Sequence, residues 1–346
     1  EALKDKKLHS GKLSIGWTVT LIFLHIAAAL IALAIGRIWI SPVEVLQAIA
    51  VKITGNSSLA EISRMTEQTL WSLRMPRILL ALLVGAGLSV AGCAFQSLFA
   101  NPLATPDTLG VASGASFGAA LGILLGFSMI GIQLTSLFMG GLAVTLTWLA
   151  GASKERGLST IVLAGIMIGS LFNALVSLVK YMADAESQLP AITYWLMGGL
   201  NTAGYKNLVF GAPVIIVGIV VLYLLRWRMN LLPLTEDEAR ASGVNISLLR
   251  GITVVCATAI TASCVSMCGQ VGWVGLLIPH MCRMKFGSNH LALIPASISF
   301  GAVFMVAVDT VARSMTAAEI PVSILTAIIG APFFIILMRR SGGWQL

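Results

Sequence analysis

Long apolar runs recur along this 346-residue chain, and they limit its fold more than any other feature. Most runs are about 18 to 25 residues long, which is the length that a helix needs to cross roughly 30 Å of hydrocarbon. The composition agrees with this, since 57% of the residues are hydrophobic and 10% are charged. We therefore predict an all-α, multispanning membrane protein and set soluble folds aside.

The hydropathy pattern predicts ten membrane spans, which form one transmembrane domain over residues 1–346 with its bundle over 17–340. The predicted spans are 17–40, 77–98, 108–128, 131–151, 159–181, 207–226, 250–268, 272–284 (short), 291–312 and 321–338. The first span follows a basic stretch, as the apolar part of a signal peptide does. Its length and the lack of a small-residue cleavage site favour a retained span.

The basic residues predict the orientation of the bundle. An even number of spans leaves both termini on one side, and the larger share of the 22 Lys and Arg residues falls there. Because cytoplasmic loops are enriched in these residues, we expect cytoplasmic termini in a plasma membrane, and we do not assign the net charge of +8 to nucleic-acid binding. The outer side keeps Arg37, Lys52, Arg64, Arg74, Arg77, Lys180, Lys206 and Arg313. This excess favours an acidic partner on that side.

The sequence contains no recognisable catalytic motif. It has no phosphate-binding loop of the G-x-x-x-x-G-K-[ST] type, no G-x-S-x-G and no H-E-x-x-H. We expect no enzymatic activity and no cofactor or metal bound by this chain. Energy for transport then comes from an ion gradient or from another subunit. The acidic residues gather near span ends and in loops, whereas ion-coupled carriers place carboxylates near the membrane midplane, which favours another subunit.

The cysteines have two interpretations. Cys264 and Cys268 lie one helical turn apart, close enough to share a metal, but no histidine or carboxylate lies beside them at ligand spacing. We favour the alternative, in which all five cysteines are reduced and serve as small apolar packing residues. His25 in the first span is likewise interpreted as a packed or interfacial side chain rather than a ligand.

Two polar segments interrupt the apolar pattern. Residues 229–250 include the charged run EDEARASGVNISLLR, which predicts a short helix in water beside the bundle. Thr235 followed three residues later by Glu238 fits a capping box, and Gly243 fits a helix stop. Residues 101–116 form the second interruption, NPLATPDTLGVASGAS, where irregular backbone is tolerated only beside protein or a water-filled cavity. This segment predicts a constriction in a pathway.

Six motifs of this chain occur in the order found in a known family. They are LRMPR (73–77), NPLATPDTLGVASGAS (101–116), GLST followed by LAG (157–165), MNLLPLTEDEARASGV (229–244), GWVGLLIPHMCR (272–283) and EIPVSILTAIIGAPFF (319–334). With these motifs the chain resembles the permease subunit of type II ATP-binding-cassette importers for ferric siderophores, haem and cobalamin. The resemblance implies a homodimer, or a pair of close homologues. It also implies two cytoplasmic ATPases that use ATP and Mg, and an extracytoplasmic substrate-binding protein.

The resemblance also implies roles for particular residues. The segment from Leu234 to Gly243 matches the helix that couples the permease to the ATPase, with the contacts expected at Leu234, Thr235, Glu236, Glu238, Arg240 and Gly243. An ordinary amphipathic loop helix is the alternative. Arg74, Arg77 and Arg313 match arginines that hold carboxylates of the binding protein, a task that suits the planar guanidinium fork. Asp309, one turn before Arg313, is expected to pair with it. Arginines that merely snorkel to the interface are the alternative here.

Two further sets of residues are implied for the translocation path. Asn101, Leu103, Ser159 and Thr160 match positions that narrow its cytoplasmic end, although an ordinary helix-end turn explains the same residue types. Gly330 and Pro332 in the last span weaken its backbone hydrogen bonding and are expected to permit a bend.

We therefore predict the permease of an ATP-driven importer. A ferric siderophore is the first cargo class, haem or cobalamin the second, and a molybdate-type oxyanion the last. Methionines near residues 267–284 suit either haem or adaptable packing. A stand-alone ion-coupled carrier or channel is the alternative from another class, and it would not need the coupling segment. An intramembrane redox enzyme is the third class, disfavoured by the lack of paired histidines in facing spans.

Overall fold

The computed structural model describes residues 11, 13–56, 62–151, 158–234, 238 and 241–340, with the backbone alone at 158, 159 and 337–340. In this part of the chain every regular element is helical. The helices are α1 (Ile15–Ala34), α2 (Pro42–Thr54), α3 (Arg64–Leu98), α4 (Val111–Leu124), α5 (Met129–Gly151), α6 (Leu158–Met182), α7 (Gln188–Leu196), α8 (Tyr205–Leu225), α9 (Ile246–Cys268), α10 (Val274–Phe286), α11 (His290–Met315) and α12 (Val322–Arg340). Short 3₁₀ turns cover Pro106–Leu109 and Arg228–Leu231.

A helix lies at each predicted span position, and the predicted all-α membrane fold is confirmed, while the cytoplasmic location of the termini stays a prediction. Among the described residues seven helices are long and apolar enough to cross a membrane, namely α1, α3, α5, α6, α8, α9 and α11. Helices α4 and α12 are shorter but apolar, and α10 has 13 residues. Helices are favoured because lipid offers no partner to backbone N–H and C=O groups, so each segment satisfies its own. The count of ten spans stays a prediction.

Two short helices, α2 and α7, were not predicted. At the start of α2 the side chain of Ser41 accepts from the backbone N–H of Glu44 at 3.1 Å, and the Glu44 carboxylate accepts from the Ser41 N–H at 3.1 Å. This is a reciprocal capping box, and it is visible in the sequence. Before α7 the hydroxyl and backbone N–H of Ser187 donate to Asp184, which holds the pKa of that carboxyl below its ordinary value.

Helix α3 contains the predicted second span, 77–98, but begins earlier than that span, at Arg64. Its first part is polar and therefore lacks the hydropathy of a span. A π-helical stretch, Thr69–Arg74, lies just before Pro76. Proline has no N–H to donate to the preceding turn, and π-type turns are a common way to accommodate such a break. The π-helical stretch ends at Arg74, a predicted docking residue.

Helix α3 lies at the centre of the bundle. Its most apolar 18-residue window is 83% buried inside the chain, whereas the corresponding windows of α1, α6 and α8 are 22% buried. Small residues let other helices approach it. A Cβ on Gly92 would lie 1.8 Å from the carbonyl oxygen of Gly275 in α10, and one on Gly85 would lie 2.2 Å from that of Gly301 in α11. These glycines are therefore required by backbone contact, as is usual in lipid.

Candidate functional site

The bundle has two polar ends that carry the predicted functional residues. The arginine end is where α1 and α11 finish and α3 and α12 begin. The coupling end is the opposite one, where α8 and α10 finish and α9 and α11 begin.

Arg77 is the centre of the arginine end. Its Nε and Nη2 atoms donate to the two oxygens of Asp309 at 2.8 to 3.0 Å, and its Nη1 donates to Oε2 of Glu319 at 2.9 Å. Asp309 has 2% of its side chain exposed, Arg77 12% and Glu319 24%. Arg77 therefore holds one buried and one partly solvated carboxylate at the same time, through a bidentate contact to the first.

Arg74 and Arg313 are buried at this end and are directed into the protein. Arg74 donates to the backbone carbonyls of Leu33, Ala34 and Ile38, and Arg313 donates to that of Ala32. Three of these carbonyls, those of Ala32, Leu33 and Ala34, lie in the last turn of α1, so both arginines cap that helix. Ile38 lies in the connection after α1, and the carbonyl of Ala34 also accepts from the backbone N–H of Ile40 at 3.2 Å. The expected pairing of Arg313 with Asp309 occurs at 3.8 Å, but the hydrogen bonds of Asp309 go to Arg77.

Arg37 was not predicted as a site residue, although it was among the excess outer cations. Its side chain is 51% exposed, lies 3.7 Å from Glu319, and donates to the carbonyls of Thr316 and Ala317. A cavity of about 300 Å³ opens here, lined among others by Arg37, Arg74, Arg77, Arg313 and Glu319. Four guanidinium groups thus lie around one opening, an arrangement that suits carboxylates. Of the three predicted docking arginines, Arg77 is the one that donates hydrogen bonds to two carboxylates, while Arg313 forms a longer ion pair with Asp309.

At the coupling end a buried polar chain connects two of the predicted segments. The amide oxygen of Asn230 accepts from the backbone N–H of His290 at 2.9 Å and contacts its Nδ1 at 2.8 Å, while Nε2 of His290 contacts the hydroxyl of Ser97. Asn230 precedes the coupling segment and Ser97 precedes the turn at Asn101. No role for His290 was evident from the sequence, because its partners lie far from it along the chain.

The predicted coupling segment is described in part. Thr235, Glu236 and Arg240 lie outside the described residues, so the predicted capping box stays a prediction. The described residues fit a helical turn: Ser242 N–H donates to the carbonyl of Glu238 at 3.2 Å, and Gly243 has a φ of +70°. Arg250 in α9 donates to the carbonyl of Leu234 at 3.2 Å, which ties the start of the segment to the bundle.

The predicted gate residues lie in two elements. Asn101 and Leu103 follow α3, where the Asn101 side chain accepts from the Leu103 N–H at 2.9 Å and Leu103 is 47% exposed. Thr160 lies in the first turn of α6, as does Ser159, of which the backbone alone is described. Helix α6 approaches the segment after Leu103 closely, since a Cβ on Gly165 would lie 2.0 Å from the Thr108 carbonyl oxygen. The gate stays a prediction.

Gly330 and Pro332 lie inside α12 as expected. A Cβ on Gly330 would lie 2.9 Å from the indole ring of Trp273, so the glycine makes room for that ring. The thiol of Cys268 donates to the carbonyl of Cys264 at 3.0 Å, and both side chains belong to the buried core. In the described residues no group of three His, Cys, Asp or Glu side chains could hold a metal ion.

Comparison with known proteins agrees with these features. Residues 23–340 match the FecCD transport family. The molybdate import system permease protein MolB of Haemophilus influenzae is 41% identical over 321 residues, which cover 92% of this chain and 94% of that one. The hemin transport system permease protein HmuU of Yersinia pestis is 34% identical over 80% of this chain and 85% of its own. A solved metal-chelate type ABC transporter in an inward-facing conformation has 39% identity and a TM-score of 0.83, covering 93% of this chain and 98% of that one.

The helical fold and these matches define an integral, multi-pass permease subunit of an ABC transporter in the bacterial membrane. The chain belongs to the FecCD transport family. Its relatives are permease subunits, consistent with a membrane subunit that leaves ATP hydrolysis to a separate ATPase.

Proposed function

We propose that this chain is the translocation subunit of an ATP-driven importer. In this proposal two copies, each with ten spans and cytoplasmic termini, form the path. Two ATPases that use ATP and Mg bind at the coupling end, and a substrate-binding protein docks at the arginine end. The observation that carries the proposal is the family match over residues 23–340, which includes both polar ends. A lone carrier would need neither a coupling segment nor a cluster of arginines at the opposite end.

The coupling helix is the first testable part. Exchanging its charges by Glu238→Arg with Arg240→Glu should uncouple the complex, because an interface of complementary charge is disrupted when its signs are reversed. We would measure ATP hydrolysis and cargo uptake in liposomes containing the permease and its ATPase. The control is Lys180→Glu with Glu186→Arg, the same kind of exchange at the arginine end. If the exchange at Glu238 and Arg240 and the control exchange both transport cargo as the native chain does, this role of residues 234–243 is refuted.

For docking, we propose that carboxylates of the binding protein meet Arg37 and Arg77, with Arg74 and Arg313 supporting the site from within. Arg37 is half exposed, and Arg77 lines the cavity. The guanidinium groups of Arg74 and Arg313 instead donate hydrogen bonds to carbonyls of α1. Arg37→Gln should weaken binding-protein affinity and reduce its dependence on salt, because one screened charge pair is removed. Unchanged affinity at low salt would contradict docking at this cavity.

For the cargo, we propose an iron chelate, most of all a ferric siderophore, with haem or the cobalt compound cobalamin as the next cargo classes. A molybdate-type oxyanion is the second candidate, favoured by the 41% identity to a molybdate permease. The test is uptake of ⁵⁵Fe-siderophore, haem, cobalamin and ⁹⁹Mo-molybdate by the complete transporter in liposomes, with each cargo competed by the others. Uptake of molybdate alone would exclude the iron-chelate proposal, and uptake of an iron chelate alone would exclude molybdate.

A further inference from the structure

The two carboxylates on Arg77 differ in how easily they can be exchanged. Asp309 lies inside α11, is 2% exposed, and takes two of the Arg77 nitrogens. Glu319 lies in the connection between α11 and α12, is 24% exposed, and takes the remaining nitrogen. A contact at the rim of a cavity is rehydrated more cheaply than a buried bidentate one. Glu319 is therefore the partner of Arg77 that another carboxylate can replace.

The backbone around Glu319 is held in an unfavourable conformation. Glu319 has a φ of +55°, in the left-handed region that side chains other than glycine rarely adopt. Such a conformation persists where surrounding contacts over-determine it. Here these contacts include the Arg77 ion pair and the hydrogen bonds from Arg37 to the carbonyls of Thr316 and Ala317. Two backbone hydrogen bonds add to them, from Glu319 to Thr316 at 3.3 Å and from Ile320 to Ala312 at 3.1 Å. Loss of the ion pair would remove the side-chain restraint on Glu319 and leave the strained turn to the weaker contacts.

The same connection leads directly into α12. The backbone N–H of Val322 donates to the carbonyl of Gly198 at 3.0 Å, and the hydroxyl of Tyr194 donates to that of Ala318 at 3.4 Å. Residues 316–322 thus join the ion pair to α7 on one side and to the first turn of α12 on the other. A displacement of Glu319 would therefore move the start of α12 through the backbone of residues 316–322.

The positive charges around the cavity outnumber the negative ones, so another carboxylate can be accommodated. Arg37, Arg74, Arg77 and Arg313 line the cavity, and all of them except Arg74 pair with Asp309 or Glu319. Four guanidinium groups thus lie beside two carboxylates. An incoming carboxylate that takes the place of Glu319 keeps Arg77 paired at every stage. The exchange thus avoids the large cost of leaving a buried guanidinium without a counter-charge.

We propose that Glu319 is an internal competitor for the docking site. In the undocked permease it occupies Arg77 and the Arg37 side of the cavity. On docking, a carboxylate of the substrate-binding protein displaces it into water, and residues 316–319 are released beside the start of α12. This inference rests on the proposed docking at the arginine end. It assigns Glu319 a regulatory role, as the residue through which docking changes the permease.

The test compares three variants of the permease–ATPase complex in nanodiscs by the affinity of the cognate substrate-binding protein. Glu319→Gln removes the competing charge and should tighten binding about tenfold, the scale of one charge-assisted hydrogen bond. Glu319→Asp keeps the charge but is one methylene shorter, so it should also tighten binding, by about threefold. Glu186→Gln is the control, because it removes an exposed acid from the same end of the bundle.

A second readout follows the connection itself. A nitroxide on Ala317→Cys, with the partly exposed Cys256 replaced by Ala, reports local motion by electron paramagnetic resonance. We expect the label to be restricted in the otherwise native permease, and mobile after docking or in Glu319→Gln without any partner. This second measurement does not depend on the affinity of the binding protein.

The outcomes separate the two proposals. Tighter binding in both Glu319 variants, with a mobile label, supports the exchange. If Glu319→Asp binds as the native chain does and Glu319→Gln matches Glu186→Gln, long-range charge explains the affinity and the exchange is wrong. If the binding protein binds well but the label never changes, the release of residues 316–319 is refuted. If no form of the complex binds the protein, docking at this end fails, and the exchange fails with it.

Discussion

The contact between Gly92 of α3 and Gly275 of α10 offers a sharp test of how this bundle is held together. A Cβ on Gly92 would lie 1.8 Å from the carbonyl oxygen of Gly275, and 2.5 Å from its carbonyl carbon. Cβ atoms essentially never approach another heavy atom more closely than 3.0 Å. Gly92→Ala therefore requires the two helix backbones to separate by roughly 1 Å or to tilt, since no flexible side chain is present to move aside.

The energetic cost can be estimated from this geometry. Overpacking by one methyl group costs about 1–3 kcal/mol, and the upper part of this range applies because backbone stands on both sides. Alanine gains up to about 1 kcal/mol over glycine within a helix. The matched control is Gly141→Ala in α5, where a Cβ would meet nothing within 4 Å. We expect the two variants to differ by about 2–3 kcal/mol, with the control as stable as the native chain or slightly more so.

The assay is thermal unfolding of the purified permease in detergent. After heating to each temperature, the fraction that remains folded is measured by size-exclusion chromatography. At about 2–4 °C per kcal/mol, Gly92→Ala should lose at least about 4 °C relative to Gly141→Ala. ATP-coupled uptake should fall with it, because α3 leads into the turn at Asn101. Equal midpoints for the two variants would refute the conclusion that this close helix contact is essential.

Two other predictions concern buried groups. Asp309→Asn leaves Arg77 buried with Glu319 as its remaining carboxylate, so we expect a loss approaching about 3–5 kcal/mol, measured as a lower unfolding midpoint. Adding Arg77→Gln should recover part of this loss, and no recovery would contradict the ion-pair explanation. Among the five cysteines, Cys256 alone is partly exposed, so it should react first with maleimide, as read by mass spectrometry. Equally rapid labelling of Cys264 before unfolding would contradict the buried core at α9.

Much of the bundle could be predicted because its elements are specified locally. A membrane span is recognised by about 20 consecutive apolar residues, and each predicted run coincides with a helix. Helix α2 was missed although its capping residues Ser41 and Glu44 are plain in the sequence, because its moderate length and polarity resemble those of a loop. The part of α3 that precedes the predicted span was not predicted for a similar reason, since its first turns are polar and give no hydropathy signal.

The candidate site was less accessible to prediction. The family resemblance identified Arg74, Arg77 and Arg313, but it did not reveal that their environments differ. Arg77 meets Asp309 and Glu319 across 232 and 242 residues of sequence, and no local pattern carries such a pairing. The polar chain through Asn230 and His290 likewise joins segments that are distant in the sequence.

Hydropathy and charge along the chain decide the fold class and favour an orientation, because lipid requires each span to satisfy its own backbone and basic residues concentrate on one side. Tertiary structure alone decides which arginines cap α1, which one holds two carboxylates, and where glycines let backbones touch. The physical reason is that these properties depend on burial and on distances between helices. Glu319 shows this well: its sequence neighbours reveal a polar connection, while its partner Arg77 comes from the other end of the chain.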